Sequence, residues 1–261
     1  MNDRLVAIED RLFRADENLD VLKGLLRAYY ASDAFRLFGD FDPDEDRGIR
    51  MNGAIRPPEI RVFTLIGDIL HEFRSSLDWL TWQLVEENGA GQPDDSTKWP
   101  VLHVAPTAPK KGPNRGINPP PHVRGGVSEE AIAIIDEAQP YKWGENYASH
   151  PLYMLHWLNI RDKHRHIVIR GIDISNVVVY GDDPIPRFTW TAEVIKSDED
   201  GAQVRFVPND PEVDVQIPAT LQVMLFEETG GANTPLLQTL TQIRDAVWAT
   251  FLHVERECFP P

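Results

Sequence analysis

Eleven consecutive positions near the middle of the chain, His156 to His166, hold three histidines (His156, His164, His166), two arginines (Arg161, Arg165), Lys163, Asp162 and Asn159. Histidine changes charge near neutral pH, so it can take up and release protons in catalysis. Arginine presents a rigid fork of donors that fits a phosphate or carboxylate. Together these residue types suit phosphodiester chemistry. A second polar group, His71, Arg74 and Asp78, lies upstream within an otherwise apolar stretch. The two groups are expected to meet.

Helical periodicity positions both groups. On a helix covering about 149–163, His156, Asn159, Lys163 and His166 fall within about 80° of one another at about 100° per residue. Leu152 and Leu155 share that side, which turns it toward a core. On a helix covering about 59–87, Val62, Ile66, Ile69, Phe73, Leu77, Leu80 and Leu84 form an apolar face, with His71, Arg74, Asp78 and Trp82 beside it. Buried polar groups must be paired or hydrogen-bonded. Their natural partners lie across the two helices, for example Asp78 with Lys163 or Arg74 with Asp162. One outcome is therefore a structural polar network that fixes helix register.

A second outcome is a metal site. His71 and Asp78, with His156, His164 or His166, supply nitrogen and oxygen ligands of the kind found in hydrolytic Zn, Ni or Fe centres. Lys163 and the arginines oppose a cation there, and His71 and Asp78 are about 10 Å apart along a helix. No metal and no cofactor is expected on balance.

A third outcome is cleavage of RNA. Arg161 and His166 enclose a string, R-D-x-x-x-H, that resembles the Arg-x(4–6)-His motif of HEPN-type ribonucleases, helical-bundle proteins of bacterial toxin and defence systems. The resemblance implies metal-independent RNA cleavage at a dimer interface. Carried over, His166 would be the general acid/base and Arg161 would hold the scissile phosphate. The pair LHEFRSSLDWLTWQLV (70–85) and HPLYMLHWLNIRDKHR (150–165) also resembles an uncharacterised family of bacterial proteins with LHxxRSxLDxL and N-x-x-DKHR helices. That resemblance brings no established activity. It marks Arg74, Asp78, Asn159, Asp162, Lys163, His164 and Arg165 as the residues to test.

The remaining elements follow from pattern. Leu5, Ile8, Leu12, Leu19, Leu22 and Leu26 are the seam of a long helix over about 2–30, which needs a partner helix in this chain or in a second copy. Residues 33–57 read as a β-hairpin, and 91–127, rich in proline and glycine, as a long loop whose start Trp99-Pro100-Val101 pins to the core. A short helix covers 128–137, ended by Gln139-Pro140-Tyr141. Residues 167–228 read as a β-meander and 234–257 as a last helix. The expected fold is one α+β domain over 1–261: an antiparallel bundle of four main helices with the hairpin and a small antiparallel sheet inserted. A homodimer through the helix seams is expected.

Charge narrows the function classes. Forty-one acidic against 26 basic residues give a net charge of −15. That opposes a broad grip on DNA, which needs a basic surface, while leaving a local RNA site open. The single cysteine, Cys258, excludes an internal disulfide and a cysteine metal cluster. No apolar run approaches the ~18 residues that span a bilayer, and the charged N-terminus does not read as a signal peptide, so a cytoplasmic protein is expected. Trp79, Trp82 and Trp157 fall on helices, where core or interface is the expected role.

Overall fold

The computed structural model describes the backbone of residues 3–32, 35–42, 48–55, 57–89, 92–105, 126–164, 169–175, 190–197, 202–208, 217–225 and 234–260, and the side chains of 4–32, 57–89, 92–105, 126–162 and 234–260. The helices are α1 (Asp3–Tyr30), α2 (Ile60–Asn88), α3 (Glu129–Glu137), α4 (Pro151–His164) and α5 (Leu236–Cys258). A 3-10 segment, Pro140–Ser149, joins α3 to α4 and is interrupted at Gly144, whose φ of 58° an L side chain rarely adopts. The strands are β1 (Phe35–Asp42), β2 (Gly48–Ile55), β3 (Ile169–Ser175), β4 (Trp190–Ser197), β5 (Ala202–Pro208), β6 (Ile217–Leu225) and β7 (Thr234–Pro235).

The chain divides into two compact units. Unit 1 comprises residues 1–19, 65–167 and 239–261, and unit 2 comprises 20–64 and 168–238. Three of the four boundaries fall within helices α1, α2 and α5, and the fourth falls between α4 and β3.

In unit 1 the apolar stripes read from the sequence are buried. Leu5, Ile8, Leu12 and Leu19 of α1, Ile66, Ile69, Phe73, Leu77, Leu80 and Leu84 of α2, and Leu240, Ile243, Val247, Phe251 and Val254 of α5 all lie in the core. Ion pairs set the directions. Arg4 meets Glu87, and Arg11 meets Glu72, so α1 and α2 run antiparallel. Asp16 receives Nε and Nη2 of Arg244 at 2.8 and 3.1 Å and Nε1 of Trp248 at 3.1 Å, which holds α1 antiparallel to α5. The α1 seam is thus satisfied within the chain; it does not stand open for a second copy.

Helix ends follow their residues. Ser128 caps α3, its side chain accepting from the Ala131 N–H at 3.2 Å, with Glu129 and Glu130 at the positive end of the dipole. Gly89, at φ +62°, ends α2 by donating to the Val85 carbonyl.

In unit 2, β1 and β2 pair antiparallel, from Phe35 opposite Ile55 to Asp42 opposite Gly48. The other strands are ordered β3-β6-β5-β4, with β7 also paired to β6. A meander would place β3 beside β4; instead β3 pairs with β6, so the expected meander is corrected. Within the stretch expected to form the meander, residues 176–189 lie outside the described residues.

The fold class is also corrected. Of the residues whose side chains are described, 79% are helical, and Thr234–Pro235 is the one strand among them. The expectation of an α+β four-helix bundle with an inserted hairpin and sheet therefore gives way to a mainly helical protein. Among the residues whose side chains are described, the core is built mainly by the five helices. The physical reason is that the apolar stripes of the helices bury one another.

Asp16→Ala should cost about 1–2 kcal/mol, since it removes an acceptor shared by a guanidinium fork and an indole N–H, partly offset by solvent at the half-exposed arginine. Urea unfolding would measure it. A cost near zero would mean that α5 is held by its apolar face alone.

Candidate functional site

Arg74 and Asp78 are one turn apart on α2, where side chains four residues apart meet. Arg74 is only 7% exposed. Its Nη2 donates to Asp78 Oδ1 at 2.8 Å and to the backbone carbonyl of Trp99 at 2.7 Å. The same Asp78 Oδ1 accepts the Trp99 N–H at 2.9 Å. The pair therefore holds both backbone polar groups of Trp99, whose ring is 1% exposed. Burial pushes the Arg74 guanidinium below its ordinary range and the Asp78 carboxyl above its own, with their mutual attraction opposing both shifts. Desolvation outweighs attraction, as expected of a buried ion pair.

A second set of bonds fixes the same segment from the other side. The fully buried Gln139 donates through Nε2 to the carbonyls of Pro100 and Ile135 at 3.1 and 2.8 Å, and its Oε1 accepts the Leu102 N–H at 2.9 Å. The Tyr141 N–H donates to the Leu102 carbonyl. Residues 99–102 are thus hydrogen-bonded to α2 on one side and to the start of the 3-10 segment on the other. The expected pinning by Trp99-Pro100-Val101 has its cause in these bonds.

The expected cross-helix pairing of Arg74 with Asp162 is corrected. Arg74 turns to Asp78 on its own helix, a partner within reach of the same turn. Asp162 instead lies against the α2 backbone: a Cβ added at Gly67 would sit 2.8 Å from its Oδ2. That close approach is what a glycine inside a helix permits. The pairing expected between Asp78 and Lys163 involves a side chain outside the described residues.

The other residues separate by environment. His71 is exposed, its Nε2 3.4 Å from Ser75 Oγ, on the outward side of α2. His156 is half-buried and pushed below its ordinary range by burial and then by the Arg74 charge. Asn159 is buried. Arg161 is partly exposed, with its guanidinium 4.4 Å over the Trp157 ring. Lys163 and His164 complete α4 as backbone; their side chains, and all of Arg165 and His166, lie outside the described residues. The structure brings together Arg74, Asp78 and His156, and it separates them from His71. Among the described residues no group of three His, Cys, Asp or Glu is placed to hold a metal.

Two contributors had quiet sequence signals. His150 caps α4: its Nδ1 accepts the Leu152 N–H at 3.2 Å, and its carbonyl accepts the Met154 N–H. Pro151 in the next position suits a helix start, which was the available clue. Gln139 stood directly before Pro140 and read only as part of a terminator. Nearby, His103, Tyr147 and Tyr153 meet in tilted and edge-to-face contacts with ring centroids 5.1–6.3 Å apart.

No family model, curated protein or solved structure matches the chain. The site's meaning rests on its own chemistry.

Two outcomes follow. Asp78→Ala strips the buried arginine of its counter-charge and the Trp99 N–H of its acceptor, and should cost about 3–5 kcal/mol; Asp78→Asn keeps an acceptor and should cost clearly less. Denaturant midpoints of the two variants would decide, and a loss below about 1 kcal/mol for Asp78→Ala would remove the clamp from the structural account. The second concerns acid. His150 and His156 are both held below their unfolded value of about 6.5 by burial. The unfolded chain then binds protons more readily, so stability is full above about pH 6.5 and falls as pH drops through the lower folded values. The melting temperature should decline between pH 7.5 and 5.5, and less steeply in His150→Asn, which can cap without titrating.

Proposed function

We infer that the chain acts without catalysis, as a self-associating helical accessory protein whose polar cluster is structural. The observation that supports this reading is the clamp: Nη2 of Arg74 and Oδ1 of Asp78 bind each other and the Trp99 backbone, a structural use of both side chains. The α1 seam is buried, so a homodimer uses outward side chains. Trp79 and Trp82 of α2 are 44% and 36% exposed. The Arg11 guanidinium lies 4.3 Å over the Trp79 ring, and Trp82 donates through Nε1 to Glu86 at 2.9 Å. Tryptophan and arginine are the side chains on which interfaces most depend.

A second reading is favoured by one observation. Arg161, unlike Arg74, is partly exposed in the last turns of α4, as a phosphate-binding arginine of a HEPN-like ribonuclease would be. In this reading Arg161 holds the RNA phosphate and His166 is the general acid/base, with no metal.

One pair of measurements separates the two. Purified protein is incubated with RNA in EDTA alongside Arg161→Ala and His166→Ala, each first shown to melt as a folded chain. The accessory reading expects no cleavage by the wild type. Cleavage that survives EDTA and is lost in both folded variants would replace it with the ribonuclease reading. Sedimentation should show a dimer for the wild type and a monomer for Trp82→Glu; a monomeric wild type would remove self-association.

A further inference from the structure

The two halves of the 3-10 segment are held very differently. Residues 140–143 are anchored. The Tyr141 N–H donates to the Leu102 carbonyl at 3.0 Å, the Tyr141 hydroxyl donates to Asp136, and Lys142 meets the other oxygen of Asp136 at 2.6 Å. Residues 145–149 bury no side chain: Tyr147 is half-exposed and the other four are exposed. Tyr147 packs on the rings of His103 and Tyr153. The joint between the halves is Gly144, at φ 58° and ψ −127°, a region that only glycine enters freely. A Cβ there would meet nothing within 4 Å, so conformation and not space keeps the position to glycine.

His150 closes the second half and opens α4. Its N–H donates to the Tyr147 carbonyl at 3.1 Å, its Nδ1 accepts the Leu152 N–H at 3.2 Å, and its carbonyl accepts the Met154 N–H at 3.0 Å. The buried imidazole meets Trp143 edge-to-face, with centroids 4.7 Å apart. A proton on Nδ1 turns that acceptor into a donor, removes the cap, and sets a positive charge at the positive end of the α4 dipole. A buried imidazolium also needs water, and residues 145–149 are the part that can yield. The titratable and charged groups on the surrounding elements are Lys142, Glu145 and Tyr147 on the 3-10 segment, Asp136 on α3, His103 on the 92–105 segment, and Tyr153 and His156 on α4. Lys142 is paired with Asp136. His103 touches the second half through Tyr147, so it needs its own control.

We propose that residues 145–149 and the first turn of α4 form an acid-released strap, with His150 as its latch and Gly144 as its hinge. Burial holds the closed imidazole below its ordinary range. Above about pH 6.5 it is neutral in either form, caps α4, and the strap stays closed. As the pH falls from there through the lower value of the closed form, the open form takes up the proton first and gains population. Opening lifts Tyr147 off the His103 and Tyr153 rings. Leu155, Leu158 and Asn159 are buried, so the interior of α4 stays in place. The event is local, distinct from unfolding of the whole chain, and depends on neither reading of its function.

Amide hydrogen exchange of the full chain at pH 7.5 and 5.5, corrected for the intrinsic pH dependence of exchange, tests it. Protection at His150, Leu152 and Met154 should fall about five- to ten-fold, the upper limit being that for one proton with an open-form pKa of about 6.5. In low urea their exchange should hold constant while that of Leu155, Leu158 and Asn159 accelerates, because a local opening exposes little new surface. His150→Asn, which caps without titrating, should abolish the pH effect, and His103→Gln should retain it in full. Gly144→Ala, strained at the hinge, should speed exchange at the three amides by a similar factor at both pH values. Protection that does not change with pH, one urea dependence shared along α4, a pH effect kept in His150→Asn or lost in His103→Gln, or unchanged exchange in Gly144→Ala would each overturn the proposal. The wild type alone carries the pH and urea comparisons, so the test does not hang on any variant folding.

Discussion

One buried residue, Trp99, has both of its backbone polar groups taken by a guanidinium and a carboxylate one helical turn apart. Backbone groups away from water must find partners, and an irregular segment crossing a helical core has no ladder to supply them. Arg74 and Asp78 take the part a neighbouring strand would play: donor to the carbonyl, acceptor from the amide. Gln139 repeats the device on the other side, serving Pro100 and Leu102. Without these three side chains the segment from Trp99 to Leu102 would carry orphaned polar groups into the core. Its placement, and with it the docking of the 3-10 segment, depends on them.

The clamp is costly in isolation and stable only as a whole. Desolvation outweighs the attraction between Arg74 and Asp78, so the pair by itself is a poor source of stability. It persists because each member also satisfies the Trp99 backbone, and removing either leaves a charge and a backbone group unpaired. His156, half-buried beside this guanidinium, is held below its ordinary range by burial and by the Arg74 charge. Such a cluster rewards one arrangement of α2, the 97–102 segment and α4 over its neighbours, which is a role in specificity more than in gross stability.

Much of this was readable from residue types. Steps of three, four and seven along α1, α2 and α5 located the core faces, because a helix presents every third or fourth residue to the same side. Of the polar positions beside or on the apolar faces, Arg74, Asp78 and Asn159 are buried or nearly so, whereas His71, from the same stripe as Arg74 and Asp78, is exposed. Their partners were not legible. Sequence spacing shows which residues share a face but not what crosses it, so Arg74 was matched with Asp162 when a same-helix carboxylate and a backbone carbonyl stood closer. Backbone partners carry no residue signature, which is why Trp99 read only as an apolar anchor. Gly67 carried a signal that was legible in principle: a glycine inside a strong helix pattern marks a close approach, here that of Asp162. The class of fold was misread for a related reason. Alternating apolar residues announce strands, but not whether those strands take part in the core the helices build.

The two ends of α4 differ in a way that constrains any function placed there. Its N-terminus is fixed by His150, whose Nδ1 can cap only while unprotonated, and by Pro151 behind it. Its last turns carry Arg161 over Trp157 and Asp162 against Gly67. Acid therefore acts on the helix from the start, through His150, and from the middle, through His156. An activity at the end of α4 that fades below about pH 6.5 would thus report the cap and the core as readily as a catalytic histidine. The two causes are separable because only one changes the melt: a chemical pKa moves the rate at constant stability, while the cap moves both together. For this chain a pH–rate profile acquires meaning only when set beside the pH dependence of its stability.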